Sequence, residues 1–179
     1  MFLFTTSNKI GARLIRWATG EKCSHFATAF DCENPDGKGI IFHSTLTQGV
    51  HLEWFGEWIK HNKIVFALKC SQSDLLSEEK VYQALLNGYY GKKYDWLGFV
   101  KFSFYAVRRK LSGRAIPQNI GDGSRNNYLC TEIAEGIKGV HPSLVPAHLP
   151  SSLITPYALY QIMSKSTDLR HVLVKTKNS

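Results

Sequence analysis

The chain has 179 residues, of which 44% are hydrophobic and 20% charged, so it is long enough for one domain with a substantial core and its composition excludes a disordered protein. Its formal charge of +8 at pH 7 predicts attraction to polyanions and is uninformative about the fold. The apolar start at residues 1–4 is followed at once by polar residues, and the longest apolar stretch, at 96–107, is interrupted by Lys101, so we predict neither a secretory leader nor a membrane-spanning segment.

The first half of the chain predicts one helix followed by antiparallel strands. Ser7 is a suitable N-cap, and Ile10, Leu14 and Trp17 fall on one side of a helix that ends near Gly20. Two strands joined by an Asn-Pro-Asp-Gly turn predict a hairpin. The predicted strands are 25–30, 39–44, 49–53 and 64–68, with the turn at 34–37 and a short helix at 54–61.

The second half predicts mainly helices. Acidic residues after Ser77 suit the first turn of a helix that ends before Gly88, and an aromatic-rich helix follows Tyr94 and Asp95. Further predictions are a loop at 116–127, a helix opening at Cys130, a helix at 155–163 and a closing strand at 171–175. The order predicts an α+β domain over residues 1–179, with an antiparallel sheet packed against helices.

Cys130 is the candidate nucleophile. Its predicted position at a helix N-terminus would lower the thiol pKa and supply N–H groups for an oxyanion. The alternative is that Cys130, Ile133 and Ile137 form an apolar stripe at helical spacing in which the thiol is a buried hydrophobic group.

His25 and His43 are the candidate base and orienting group. They lie on the two strands of the predicted hairpin, which would bring one imidazole beside the thiol and the second behind it. The alternative is that they are structural residues, as we expect for the other histidines, at 51, 61, 141, 148 and 171. A zinc site is a rival use of Cys23, His25, Cys32 and His43, but these donors lack a short Cys-x-x-Cys pair, so we predict no metal and no cofactor.

Five short segments together resemble a known family. The chain resembles the circularly permuted NlpC-type branch of the papain-like superfamily, a branch similar to the YiiX-like proteins and the lecithin:retinol acyltransferase group, over roughly residues 5–160. In that branch the histidine strand precedes the cysteine helix. The segments are SHFA at 24–27, IIFH at 40–43, TQGV at 47–50, GKKYDW at 91–96 and YLCTE at 128–132.

The resemblance implies a papain-like fold with the nucleophile at a helix N-terminus and a role for each matched residue. Cys130 matches the nucleophile, His25 the general base and His43 the third polar residue. The segment 109–127 has no counterpart. Five further residues are assigned to substrate binding or to bracing the cleft: Ser24, Tyr94, Asp95, Tyr128 and Glu132. Thr131 replaces the serine that the family has before the glutamate, and the alternative for Glu132 is an acidic residue favoured by the dipole at the helix start.

These observations predict a cysteine hydrolase that cleaves an amide or ester through an acyl-enzyme on Cys130. An anionic cell-wall polymer or peptide is the expected substrate. The alternatives are a lipid or acyl-amide substrate, reached from a membrane surface through the basic first helix, and a non-catalytic module that retains the fold. We expect no specific nucleic-acid partner, and a location in the cytoplasm or delivery with a phage particle; no oligomeric state is predicted.

Overall fold

The described part of the chain contains eight strands and six helices. The structure is a computed structural model that describes residues 1–30, 39–70, 75–113, 127–128, 130–140, 142–144 and 154–174. The strands are β1 (Phe2–Thr6), β2 (His25–Phe30), β3 (Ile40–Thr45), β4 (Gly49–Trp54), β5 (Lys63–Cys70), β6 (Lys93–Tyr94), β7 (Asn127–Tyr128) and β8 (Leu169–His171). The helices are α1 (Ile10–Thr19), α2 (Phe55–Trp58), α3 (Leu75–Tyr89), α4 (Trp96–Ser112), α5 (Ile133–Val140) and α6 (Pro156–Met163).

Six of the strands form one antiparallel sheet in the order β4-β3-β2-β1-β5-β8. The central strand β1 was not predicted from the sequence. Phe2, Leu3 and Phe4 are all buried, because the two faces of the sheet are both covered. A strand covered on both faces has a continuous apolar run instead of an alternating one. Periodicity alone does not distinguish such a short run from a segment of a buried helix.

The two faces of the sheet pack into separate apolar clusters. Strand alternation sends Phe4, Phe26 and Phe42 to one face, where they meet residues of α3, α5 and α6. Leu3, Ala27, Ile41 and the buried Trp58 of α2 belong to a second cluster on the opposite face. The α+β class with an antiparallel sheet is therefore confirmed, and the site can be described by the face on which each side chain lies.

Most predicted elements are present with shifted ends. The hairpin of β2 and β3 is confirmed, with Ala27 opposite His43; its turn at 34–37 and the loop at 116–126 lie outside the described residues. Helix α3 begins two residues before Ser77 and includes Gly88, and the N-cap of α1 is Lys9 and not Ser7. The other strands and helices agree within about three residues, except that α2 is shorter than predicted and that β8 shares only His171 with the closing strand predicted at 171–175.

The exposed edge strand β4 is bordered by the segment that follows α3. The Val50 N–H donates to the Lys92 carbonyl (2.8 Å), and the Gly91 N–H donates to the Val50 carbonyl (2.9 Å). Gly49 has φ of 70°, and a Cβ at this position would collide with the Lys92 backbone. Beyond this segment β6 pairs in parallel with β7, which leads the chain to Cys130.

Helix α1 presents its apolar stripe to solvent, contrary to the usual amphipathic arrangement. Ile10 is 85% exposed and Trp17 50% exposed. The helix packs beside α4, where the Lys110 ammonium lies 4.5 Å from the centre of the Trp17 ring. None of the described helices combines the length and the apolar character needed to cross a bilayer.

Candidate active site

His25 and His43 lie side by side on one face of the sheet. His25 is the first residue of β2, and the register that pairs Ala27 with His43 makes the two histidines diagonal neighbours. Nε2 of His25 is 3.1 Å from Nδ1 of His43, so one ring donates a hydrogen bond to the other. The structure thus brings together the two histidines that the sequence singled out.

His51 and Glu53 of β4 complete this group, and neither was predicted as a site residue from the sequence. His51 is the partner of His43 in the strand register, and the ring centroids are 4.4 Å apart. Glu53 is two residues further along the same face, with its Oε2 3.3 Å from Nε2 of His43. The sequence does indicate that these two residues belong together. They are two positions apart on a predicted strand, which places both side chains on one face.

The imidazoles of His25, which is half-buried, and of His43, which is buried, are neutral at pH 7. Burial, followed by the neighbouring His25, His51 and Lys9, lowers the pKa of His43 to about 2. Burial, followed by His51 and Lys9, lowers the pKa of His25 to about 4. The contact between His43 and Glu53 is therefore not an ion pair, and among the described residues the buried Nε2 of His43 has no hydrogen-bond partner.

Cys130 lies in the turn that precedes α5, three residues before the first residue of that helix. Its thiol is buried beside Phe26 and Ile133. Burial raises the pKa of Cys130 to about 11, although the backbone N–H groups of Phe26 and Thr131 act in the opposite direction. The expected lowering of the thiol pKa at a helix N-terminus is therefore wrong for this chain, because loss of water outweighs the N–H groups.

Cys130 and His25 approach β2 from opposite faces. The sulfur packs with the Phe26 side chain, whereas His25, one residue earlier on the strand, points to the face that carries His43. The Phe26 N–H that interacts with the sulfur belongs to the residue after His25 and precedes the first β2–β3 pair, Ala27 with His43. The predicted nucleophile and base thus lie at the same end of β2.

Tyr94 is near the thiol, and Ser24 directly precedes His25 in the chain. Ser24 is buried and precedes His25, and its Oγ has no hydrogen-bond partner among the described residues. Burial raises the pKa of Tyr94 well above its ordinary value, and the nearby Cys130 and Asp95 contribute to the same shift. Tyr94 is therefore near the thiol, and the substrate-binding role assigned to Ser24 and Tyr94 stays a prediction.

The other residues assigned to substrate binding have different positions. Asp95 is the buried N-cap of α4, and its Oδ1 accepts a hydrogen bond from the Gly98 N–H at 2.8 Å. The Tyr128 backbone pairs with that of Tyr94 in the β6–β7 sheet, and its side chain lies outside the described part. Glu132 is half-buried in the turn before α5. Asp95 therefore has a structural role, and the substrate role of all three stays a prediction.

The possible metal ligands that the structure brings together differ from the four residues considered for a zinc site from the sequence. Within the described ranges, His43, His51 and Glu53 each offer one ligand atom within 4.8 Å of the others. Cys23 packs with Phe26 on the opposite face from His43, and Cys32 lies outside the described residues. Cys23, Cys70 and Cys130 are free thiols.

Comparison with known proteins gives one likeness in fold. No protein-family model and no curated protein matches the chain. A solved structure, that of the metalloprotein yiiX from Escherichia coli O157:H7, is similar with a TM-score of 0.53 and 15% sequence identity, over 97% of this chain and 95% of that chain. At this identity the likeness shows the fold alone, so the YiiX-like fold expected from the sequence is supported.

Proposed function

We propose that this protein is a cysteine hydrolase with a permuted NlpC-type papain-like fold, which cleaves an amide or ester through an acyl-enzyme on Cys130. The observation that carries the proposal is the hydrogen-bonded pair of His25 and His43 at the end of β2 where the Cys130 sulfur interacts with the Phe26 N–H. The chain order, histidine strand before cysteine turn and helix, agrees with the permuted arrangement.

The hydrogen bond between the histidines sets the proton positions that the reaction needs. If His43 carries its proton on Nε2, facing Glu53, its Nδ1 accepts the hydrogen bond from Nε2–H of His25. Nδ1 of His25 then holds a lone pair and can take the thiol proton. Glu53 favours this tautomer because its carboxylate lies 3.3 Å from Nε2 of His43.

The reaction then follows from these groups. His25 takes the proton of Cys130 as the sulfur attacks the carbonyl carbon, and the N–H groups beside the sulfur donate to the oxyanion. The tetrahedral intermediate collapses, the carbon–nitrogen or carbon–oxygen bond breaks, and His25 returns the proton to the leaving group. Water, deprotonated by His25, attacks the thioester and releases the acid and the free thiol.

Single substitutions test this assignment. We expect Cys130→Ala and His25→Ala to reduce turnover by at least about 10³-fold, because each removes a group without which the acyl-enzyme does not form. Cys70→Ala is the matched control: it removes another free, partly buried thiol, which lies on β5, and should retain activity. Full activity of Cys130→Ala on a substrate cleaved by the wild type would disprove the mechanism.

The substrate that we propose first is a peptide amide in an anionic cell-wall polymer. The net charge of +8 supports it, because a basic surface raises the local concentration of an anionic polymer. The measurement is mass spectrometry of the products formed from purified peptidoglycan. New amine and carboxyl ends in peptidoglycan fragments are expected from the wild type and not from Cys130→Ala.

A lipid or acyl amide is the second candidate, favoured by the surface of α1 and α4. We define the α1–α4 face by its exposed apolar residues, which are Ile10, Leu14, Trp17, Trp96, Leu97, Val100, Phe104 and Leu111. Neither helix contains a carboxylate, and seven cations lie within them or at their ends: Lys9, Arg13, Arg16, Lys101, Arg108, Arg109 and Lys110. Apolar side chains among cations are typical of proteins that bind anionic bilayers. Release of fatty acid or amine from phospholipid or acyl-amide vesicles would favour this candidate.

A divalent metal ion also fits residues of this chain, as the description of yiiX as a metalloprotein invites us to test. His43, His51 and Glu53 would hold it, since two imidazoles and a carboxylate are common zinc donors and the buried Nε2 of His43 has no hydrogen-bond partner among the described residues. A bound ion would supply positive charge beside His25 and fix the tautomer of His43.

A further inference from the structure

We infer that His43, His51 and Glu53 form a zinc-type cation site whose occupation prevents His25 from acting as the base. The inference deepens the proposed function. The claim that a bound cation inhibits the reaction rests on that function. The cation site and the tautomer of His25 can both be measured without turnover.

The spacing of the His43 and Glu53 donors suits a small divalent cation. Nε2 of His43 and Oε2 of Glu53 are 3.3 Å apart, which is long for a hydrogen bond and equals the edge of a tetrahedron whose metal–ligand bonds are about 2.0 Å. His51 contributes a donor within 4.8 Å of the other two. A cation would therefore give the orphaned Nε2 of His43 a partner without moving the strands.

The neighbours of these donors orient them as metal ligands. Nδ1–H of His51 donates to the Gly49 carbonyl at 3.0 Å, since a carbonyl can only accept, so the lone pair of His51 is on Nε2. Nδ1 of His43 is similarly engaged by His25. Glu53 is 34% exposed, which gives the site access to solvent and leaves room for a water or an anion as fourth ligand.

Cation binding and base catalysis require opposite tautomers of His43. A cation on Nε2 of His43 displaces the proton to Nδ1, which must then donate to Nε2 of His25. Nε2 of His25 becomes the acceptor, and the proton of that neutral ring is on Nδ1. The nitrogen that would take the thiol proton is then already protonated, so the loaded protein cannot start acyl transfer.

The first test is zinc binding. Purified protein is titrated with zinc chloride against a chromophoric chelator. We expect one equivalent to bind to the wild type and to His171→Ala, in which an exposed histidine of β8 is lost, and at least tenfold weaker binding by His51→Ala and by the near-isosteric Glu53→Gln. Equal zinc affinity of wild type, His51→Ala and Glu53→Gln, or absence of the one-equivalent site, would overturn the inference.

The second test follows the histidine protons directly. In ¹⁵N-histidine-labelled protein, long-range ¹H–¹⁵N spectra distinguish the two neutral tautomers of His25. We expect the proton on Nε2 in the presence of a chelator and on Nδ1 after one equivalent of zinc. Zinc binding without this change would overturn the coupling to His25, and neither spectrum depends on whether a substrate is cleaved.

Discussion

His43 has a neighbour at each of its two ring nitrogens, and its tautomer is defined by which of these nitrogens carries the proton. It hydrogen-bonds His25 through Nδ1, faces Glu53 through Nε2 and packs against the ring of His51. Because burial keeps the ring neutral, it carries a single proton that can be on only one of these nitrogens. In the reaction and the cation site that we propose, the position of this proton decides whether His25 acts as the base or His43 binds a cation, and the charge of the His43 ring is the same in both.

The reactivity of Cys130 should rise steeply with pH. Its pKa is raised to about 11 by burial, so about one thiol in 10⁴ is ionised at pH 7 in the protein without substrate. We expect iodoacetamide to label Cys130 slowly at pH 7, with a rate that rises about tenfold for each pH unit up to pH 10. Peptide mass spectrometry over a pH series measures this rate.

Cys130→Ala is the control for that experiment, because it identifies the labelling that belongs to the other three cysteines, Cys23, Cys32 and Cys70. Rapid labelling of Cys130 at pH 6 to 7 would contradict the raised pKa and indicate a thiolate–imidazolium pair with His25. The slow labelling expected here is compatible with both the hydrolase and the non-catalytic alternative, so the activity of the Cys130 and His25 variants has to separate these two.

The sequence predicted His25 and His43 because two histidines on the strands of a recognisable hairpin must lie close together. It missed His51 and Glu53 because their importance depends on the register between β3 and β4, which sets His51 opposite His43. The pKa of Cys130 could not be predicted either, since burial depends on how α5 packs against the sheet.

Helix α4 depends on its N-cap. The Asp95 carboxylate accepts the Gly98 N–H, and a Cβ at residue 98 would collide with that carboxyl group. We expect Asp95→Ala to lower the free energy of unfolding by about 1 kcal/mol, because the Gly98 N–H loses its partner. Urea denaturation measures the change.

Asp95→Asn is the matched variant, since an asparagine oxygen also accepts the bond and should retain most of the stability. If Asp95→Ala is as stable as wild type, the cap contributes little and the role in the substrate cleft that the resemblance implies becomes the better explanation of this residue.

The positions of the helices were easier to predict from the sequence than the side of each helix that faces the core. Helix α4 was predicted after Tyr94 and Asp95 from its aromatic-rich sequence, and it begins at Trp96. The spacing of Ile10, Leu14 and Trp17 identified α1 correctly, but periodicity reports only that one side is apolar and does not say whether that side faces the core.

The α1–α4 face combines the net positive charge with exposed apolar side chains. On α4, Leu97, Val100 and Phe104 recur on one side, with Lys101 and Arg108 among them. We expect the protein to co-sediment with vesicles containing phosphatidylserine and not with neutral vesicles. Each cation near the bilayer contributes about 1 kcal/mol, so binding should weaken at high salt.

A double variant, Leu97→Asp with Phe104→Asp, should reduce this binding at least tenfold, because it places carboxylates where the face meets anionic headgroups. Leu173→Asp is the control, since Leu173 is 97% exposed and belongs to neither helix. Equal loss in both variants, or equal binding to neutral and anionic vesicles, would contradict a specific role for the α1–α4 face.

The hydrogen bonds between Val50 and the segment at Gly91 and Lys92 have a consequence for solubility. An unprotected outer strand is a template on which another polypeptide can add a strand and begin aggregation. Here the N–H and carbonyl of Val50 are already occupied by the chain itself, and Gly49 allows that close approach. Replacing Gly49 by a bulkier residue would uncover the margin of the sheet, and fibrous or amorphous precipitation at high concentration would be its visible sign.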